Sequence, residues 1–327
     1  MQEDGRHLGL AAGYTTRPAT WDDVGRVTAL FRTCEQDRLG RPVTTTEDIR
    51  YRWLSLGGFE DTLLVTDEDG GLAAYEEFHE DQDPWTDDLD LFFDGRVHPA
   101  ATDLGIATWL FARAEDRARR AMGDAGVARS VLRTIVEDLD APARGFFTRR
   151  EFVAVRFLLQ MSLALGTPVP APRWPEGVAV RHPGPDDDEA VWRIHEVAFA
   201  DHAEHIPVTR GDFMRERLVR DPHADRSLWW MAESIDGPVG VCLARAGTPE
   251  APGHGHIRDL AVHPDWQRRG IGLALLLTAF DGFTARGLTA ADLEVDDVTM
   301  GGAVALYERA GMHVARRTEI LEKPLVL

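Results

Sequence analysis

Three stretches of this sequence return in its second half, in the same order and at nearly the same interval. Tyr14–Asp23 (YTTRPATWDD) matches Val178–Asp187 (VAVRHPGPDD), which places Arg17 and Arg181 164 positions apart. Val97–Ala107 (VHPAATDLGIA) lies over Val262–Gly272 (VHPDWQRRGIG) without a gap, at an interval of 165. Phe146–Phe152 lies over Leu306–Met312 at an interval of 160. Near-constant intervals of this kind mean one supersecondary unit present twice. Between the copies, Gly166–Gly177 carries Pro168, Pro170, Pro172 and Pro175 and can form neither a helix nor a central strand. The expected organisation is a flexible tail (1–13), a first domain (14–165), a linker (166–176) and a second domain (177–327).

Both copies read alike. A strand leads into helices, in the second copy at about Asp187–Ala200 and Thr209–Arg220. A hairpin follows, with Thr62–Thr66 and Leu72–Phe78 around Asp67–Gly71 in the first copy. In the second it is Leu228–Ile235 and Val239–Ala244 around Asp236-Gly237, a pair suited to a type I′ turn. Then come a strand, a long helix, a further strand (Ser130–Val136; Ala291–Val295), a short helix and a final hairpin. This order predicts the α+β class, each domain a mostly antiparallel mixed sheet flanked by helices.

A formal charge of −19 disfavours nucleic acid and anionic membrane surfaces as partners. Arginine supplies nearly all the positive charge, Lys323 being the only lysine. The two cysteines, Cys34 and Cys242, form no disulfide framework or zinc spacing, which fits a reducing cytoplasm. The polar start MQEDGRHLGLAAG does not read as a signal peptide, and the most apolar run, Ile271–Phe280, is too short to span a bilayer. A cytoplasmic monomer or homodimer is expected.

The second copy concentrates chemistry at Val262–Leu273. His256–Val262 reads as a strand and about Arg269–Ala285 as an apolar helix, so Gln267-Arg268-Arg269-Gly270-Ile271-Gly272 falls at a strand-to-helix turn. A helix start offers unpaired N–H groups and the positive end of its dipole to an anion. Glycines let a phosphate approach the backbone, and arginines add charge-assisted hydrogen bonds. Strand, V-x-P, basic turn and helix in this order resemble the acyl-CoA signature of the GNAT N-acetyltransferases, over about Tyr14–Leu327 at the level of architecture. The resemblance implies two tandem GNAT (acyl-CoA N-acyltransferase) domains. It implies acetyl-CoA as co-substrate and no metal. Leu260, Ala261 and Val262 would pair with the pantetheine arm, and Gln267, Arg268, Arg269, Gly270, Ile271, Gly272 and Leu273 would hold the pyrophosphate.

Acetyl transfer to an amine needs a base, donors for the developing oxyanion and an acid for the leaving thiolate. In GNAT proteins the base often lies six residues before the V-x-P valine, here His256. Arylalkylamine N-acetyltransferases are similar in having histidine there. Histidine titrates near neutral pH, and Arg258, two residues on, would share its face unless a bulge intervenes. The family's acid is a tyrosine before a G-F or G-M turn, here Tyr307. In the first copy Leu91 and Phe147 stand at these positions, and Asp103 and Leu104 replace Arg268 and Arg269. Neither side chain carries a proton, and an aspartate repels a pyrophosphate, so the first domain is expected to be degenerate and non-catalytic. The tandem architecture is similar to mycothiol synthase-like proteins. That group has Glu where this chain has His256, and Asn where it has Met300.

Other acidic and histidine clusters have plainer readings. His202, Glu204 and His205 read as a solvated loop or as acceptor-pocket lining. Glu294, Asp296 and Asp297 are either an acidic strand end or a hold for an ammonium. Asp186–Glu189 reads as a helix N-terminus. Trp229-Trp230 reads as core plus one exposed face. The function expected is acetyl-CoA-dependent acetylation of a primary amine on a small molecule, by direct attack in a ternary complex. The alternative is a non-catalytic acyl-CoA-binding or partner-binding module.

Overall fold

The computed structural model describes residues 9–327 apart from 43, 56–60, 83–88, 139, 167, 201–204, 206, 222, 248–252 and 297–301. The strands are β1 (Thr15–Arg17), β2 (Thr62–Thr66), β3 (Leu72–Gln82), β4 (Leu89–Val97), β5 (Arg129–Glu137), β6 (Val153–Ala164), β7 (Ala179–Arg181), β8 (Ala224–Ser234), β9 (Gly237–Ala246), β10 (His254–Val262), β11 (Ala290–Asp296) and β12 (His313–Val326). The helices are α1 (Val24–Leu39), α2 (Thr46–Ser55), α3 (Ile106–Ala125), α4 (Ala141–Thr148), α5 (Asp188–Phe199), α6 (Arg210–Met214), α7 (Ile271–Ala285) and α8 (Ala303–Arg309).

The chain packs as two compact units, Met1–Val155 with Thr318–Leu327, and Arg156–Arg317. The first orders its strands β1-β2-β3-β4-β5-β12, the second β6-β11-β10-β9-β8-β7. In each, one neighbouring pair runs parallel, β4 with β5 and β10 with β11. The final hairpin expected of each copy does not form. β6 and β12 are single long strands with no Gly- or Asn-containing turn in them to fold the chain back. β12 pairs with β5 from Thr318↔Glu137 to Val326↔Arg129, and β6 pairs with β11 from Leu158↔Asp296 to Ala164↔Ala290. Each copy thus contributes its last strand to the sheet begun by the other.

In the second unit α7 buries Ile271, Ala274, Leu275, Leu276, Leu277, Ala279, Phe280 and Phe283. Three consecutive buried leucines mean that more than one stripe of this helix is covered. Val191 and Ile194 of α5 and Phe213 of α6 cover the opposite face of the sheet, with Trp229, Met231, Val241, Leu243 and Ala261. Helices on both faces correct the reading of Trp229-Trp230. Both rings are buried, Trp230 in the α7 core and Trp229 in the α5 core, and neither faces solvent.

Three local expectations also change. The β8–β9 turn is not type I′. Ser234 pairs with Gly237, so Ile235 and Asp236 are the central residues, and the positive φ falls on Gly237 (122°). The segment 210–220 is not one α-helix: α6 gives way to a π-helical turn, Arg215–Val219, closed by Arg220 N–H to Arg215 C=O at 2.9 Å. Helix α7 starts at Ile271 rather than Arg269, because Arg268 (φ 62°) and Gly270 (φ 89°) take left-handed backbone and swing the loop outward first. Among the described residues no helix is long and apolar enough to cross a membrane.

Candidate active site

The parallel pair at the centre of the second unit is short. β10 and β11 are in register only from His254↔Ala290 to Ile257↔Leu293. Beyond that, Asp259–Val262 pair with β9 while Glu294–Asp296 pair with β6. The two strands part, and a parted pair offers backbone groups on both lips to an extended ligand.

His256 lies on the last paired stretch. Its neighbours Gly255 and Ile257 face α7: a Cβ on Gly255 would strike the Phe283 ring at 2.5 Å, and Ile257 belongs to the α7 core. Alternation turns His256 to the other face. There its Nδ1 lies 2.5 Å from Asp292 Oδ1, and His254 Nδ1 lies 3.0 Å from Asp292 Oδ2. Burial pushes the Asp292 carboxyl up, but hydrogen bonds and charge from His256 and then His254 outweigh it and hold it below the usual carboxylate range. An ionised carboxylate only accepts, so His256 Nδ1 donates, which leaves Nε2 as the ring nitrogen turned away from Asp292. The imidazole side chain is 29% exposed.

Arg258 is skipped in the β9–β10 register, which runs Ile257↔Ala244 and then Asp259↔Leu243. This bulge sends two consecutive side chains to the segment after α6. Arg258 donates to Glu216 C=O (3.2 Å) and Asp221 (3.3 Å), and Asp259 is gripped by Arg217 (2.8 and 3.0 Å) and lies 3.3 Å from His195 Nε2. Burial raises the Asp259 carboxyl, and bonds from His195 and Arg217 overcome it, so the net shift is strongly downward.

Tyr307 is 6% exposed in the α7 core with Ile271 and Cys242, and Leu260, Val262 and Leu273 pack at the edge of that core. Burial, with the Cys242 thiol adding, pushes its phenol up to about 12, so it stays protonated at neutral pH. Ala261 faces the other way, into the α5 core.

The turn that opens α7 is accessible. Gln267, Arg268, Arg269 and Gly270 are exposed. Gln267 Nε2 ties back to Val262 C=O (3.2 Å), and the Arg269 guanidinium lies 4.8 Å from the Trp266 ring centroid. The first helical bond runs from Ala274 N–H to Gly270 C=O (3.0 Å). The amides of Ile271, Gly272 and Leu273 lie ahead of it, where a helix has no carbonyl to offer them.

The remaining candidates resolve differently. His205 is not solvated: it is 11% exposed, with Nε2 3.3 Å from Glu196 Oε2. Asp296 is paired with Arg156 (3.2 Å), while Glu294 is exposed. Asp187 binds Arg181 at 2.6 and 2.7 Å and accepts from Gly184 N–H at 2.7 Å. His202, Glu204, Asp297 and Met300 lie outside the described residues. Among the described residues no group of three or more His, Cys, Asp or Glu could hold a metal ion. Sequence reading missed Asp292, Arg217 and Asp259. Strand alternation from Glu294 points to the first, and the 165-residue interval to the other two.

In the first unit Leu91 is fully buried, and Phe147 packs against a core of aromatic and aliphatic side chains. Neither can move a proton. Leu104 and Asp103 are exposed where the second copy has arginines.

A two-copy unit with a parted parallel pair and a glycine turn feeding a helix defines an acyltransferase scaffold, and comparison with known proteins agrees. The profile of the acetyltransferase (GNAT) family matches residues 189–312. A mycothiol acetyltransferase of Thermobispora bispora is 31% identical over 279 residues, 83% of this chain and 86% of that one. A second, of Streptomyces avermitilis, is 29% identical over 90% of this chain and 86% of that one. The structure of a GCN5-related N-acetyltransferase from Sphaerobacter thermophilus superposes with a TM-score of 0.82 at 28% identity, covering 98% of both chains. A tandem GNAT protein from the clavulanic acid biosynthesis pathway shares the fold, with a TM-score of 0.66 at 15% identity over 95% of this chain and 98% of that one. The chain belongs to the GNAT acetyltransferase family, in its tandem-domain form.

Proposed function

We propose that the second copy (177–327) transfers an acetyl group from acetyl-CoA to a primary amine of a small molecule, and that the first (14–165) is a non-catalytic companion. The observation that carries this is the His256–Asp292 pair beside the parted strands. It supplies a partly exposed imidazole, oriented by a carboxylate, next to the opening where a thioester arm can pair with Leu260–Val262. The pyrophosphate rests on the turn from Gln267 to Leu273, where Arg268 and Arg269 add charge and the first-turn amides of α7 add donors.

In the ternary complex His256 Nε2 takes the proton of the amine. The amine nitrogen attacks the thioester carbon. The tetrahedral intermediate collapses with cleavage of the C–S bond, and the Tyr307 O–H protonates the departing thiolate. Asp292 holds the imidazole in the tautomer that this requires. The named relatives act on a small molecule, which supports a small acceptor here. His256 in place of Glu, and Met300 in place of Asn, weigh against the same acceptor.

The test is a panel of polyamines, arylalkylamines, aminoglycosides and amino-sugar derivatives with acetyl-CoA, read by thiol release and by mass of the product. An amine-dependent release that falls steeply in both His256→Ala and Tyr307→Phe is expected. Full activity in both variants would remove the assigned roles, and no release with any amine would leave an acyl-CoA-binding module.

A further inference from the structure

The first unit contains a cavity of about 250 Å³ where β4 and β5 part. These strands pair only from Asp90↔Val131 to Phe92↔Arg133, and the space lies between Phe93–Val97 and Ile135–Glu137, closed by α1, α3 and α4. One wall is aromatic. Phe93, Phe111, Phe146 and Phe147 contact one another with ring centroids 5.2 to 6.1 Å apart. The polar lining has five carboxylates, Glu35, Glu76, Asp94, Glu137 and Asp140, against two arginines, Arg38 and Arg96. Arg38 is paired with Asp140, and Arg96 with Asp94.

Glu76 stands out in this lining. It is 1% exposed on β3 and takes one salt bridge, from Arg113 of α3 to Oε1. Its Oε2 is buried without a hydrogen-bond partner, and among the described residues only Arg317 Nε shares that condition. An unsatisfied buried carboxylate oxygen costs on the order of 1–3 kcal/mol, and more when charged. A donor supplied by a bound molecule would recover it.

We propose that this cavity binds a small primary amine with an aromatic or alkyl body, its ammonium donating to Glu76 Oε2 and its body lying against Phe93, Phe111, Phe146 and Phe147. The acid-rich lining selects a cation over an anion. Asp103 beside the glycine turn disfavours the diphosphate of a nucleotide thioester. The first copy then keeps a ligand site of its own, separate from the transfer site assigned to the second.

Calorimetric titration of the full chain with 2-phenylethylamine, without acetyl-CoA, tests this. A site is expected whose affinity falls at least tenfold in Glu76→Gln, while neutral 2-phenylethanol binds that variant no worse than the native chain. Phe147→Trp, which fills the cavity and leaves the Glu76–Arg113 pair in place, should lose the amine as well. It decides the matter if Glu76→Gln fails to fold. Three results would overturn the proposal: no amine binding by the native chain, amine binding unchanged in both variants, or coenzyme A taking two sites per chain with one lost in Phe147→Trp.

Discussion

Arg217 grips Asp259 through two N–H···O bonds, and the same pair recurs 165 residues earlier as Arg52 and Asp94. Both aspartates are buried, each arginine lies on the helical segment that precedes the hairpin (Arg52 in the last turn of α2, Arg217 in the π-helical turn after α6), and each aspartate sits just past the paired part of its parallel strand. The repeat therefore preserves a buried charge at the point where the strands part, though its proton-moving side chains differ. Removing one partner of such a pair costs about 3–5 kcal/mol, since the other is left charged and dry. Arg217→Leu should lower stability by that order in urea titration, and Arg217→Leu with Asp259→Leu by clearly less. Equal losses in the single and double variants would mean the cost is packing rather than charge.

The His256–Asp292 pair makes a prediction that a merely structural role would not. Asp292→Asn should lower kcat by about 10²-fold, with little change in KM for acetyl-CoA. The acid limb of the pH–rate profile should also move to lower pH, because an amide no longer stabilises the protonated ring. Tyr307→Phe should lower kcat without moving that limb. A full pH–rate profile for each variant separates the two, and an unmoved limb in Asp292→Asn would detach the aspartate from the base.

Gly270 caps α7 with φ 89° and no atom within 4 Å of the place a Cβ would occupy. Gly270→Ala therefore meets backbone strain rather than a clash, about 1–2 kcal/mol. The strain falls on the turn that presents the first-turn amides. KM for acetyl-CoA should rise severalfold with kcat changed less, as steady-state kinetics with varied acetyl-CoA will show. A normal KM would mean that the turn does not hold the nucleotide.

Most of the element order was legible, because repeat spacing and Gly/Pro punctuation are local properties. The strands β2, β5 and β11 begin and end within a residue of where the sequence places them. What escaped depends on chain crossing. β6 and β12 read as hairpins from the pattern of their own copy alone, whereas β12 pairs with β5 and β6 with β11, each a strand of the other copy. In the site, His256 and Tyr307 stood out through motif position. Asp292 did not, because its meaning comes from the His256↔Asp292 register across the parallel ladder, 36 residues away. The bulge at Arg258, which turns both it and Asp259 to the segment after α6, is likewise a property of two strands rather than one.

Glu76 offers a stability test that needs no ligand. Burial raises its carboxyl from 4.5 to about 7, and Arg113 and then Arg117 of α3 oppose that rise only in part. Across the cavity the facing groups are Asp94, Arg96 and Glu137. A folded-state value above the unfolded one means that the native chain holds the extra proton over this window. Stability from this residue is therefore present at low pH and is lost as pH rises from about 4.5 to about 7. At 1.36 kcal/mol per unit the loss is about 3 kcal/mol. Glutamine at position 76 cannot titrate. The stability of the native chain minus that of Glu76→Gln, measured by urea unfolding at pH 5 and pH 8, should fall by about that amount. Subtraction cancels the carboxylates of opposite sign, such as Asp187, held down to about 2 by its hydrogen bond from Arg181. A saturating amine ligand should flatten the slope, since its ammonium favours the ionised form in the folded state. A difference that is flat with pH in the free protein would mean that Glu76 is already satisfied.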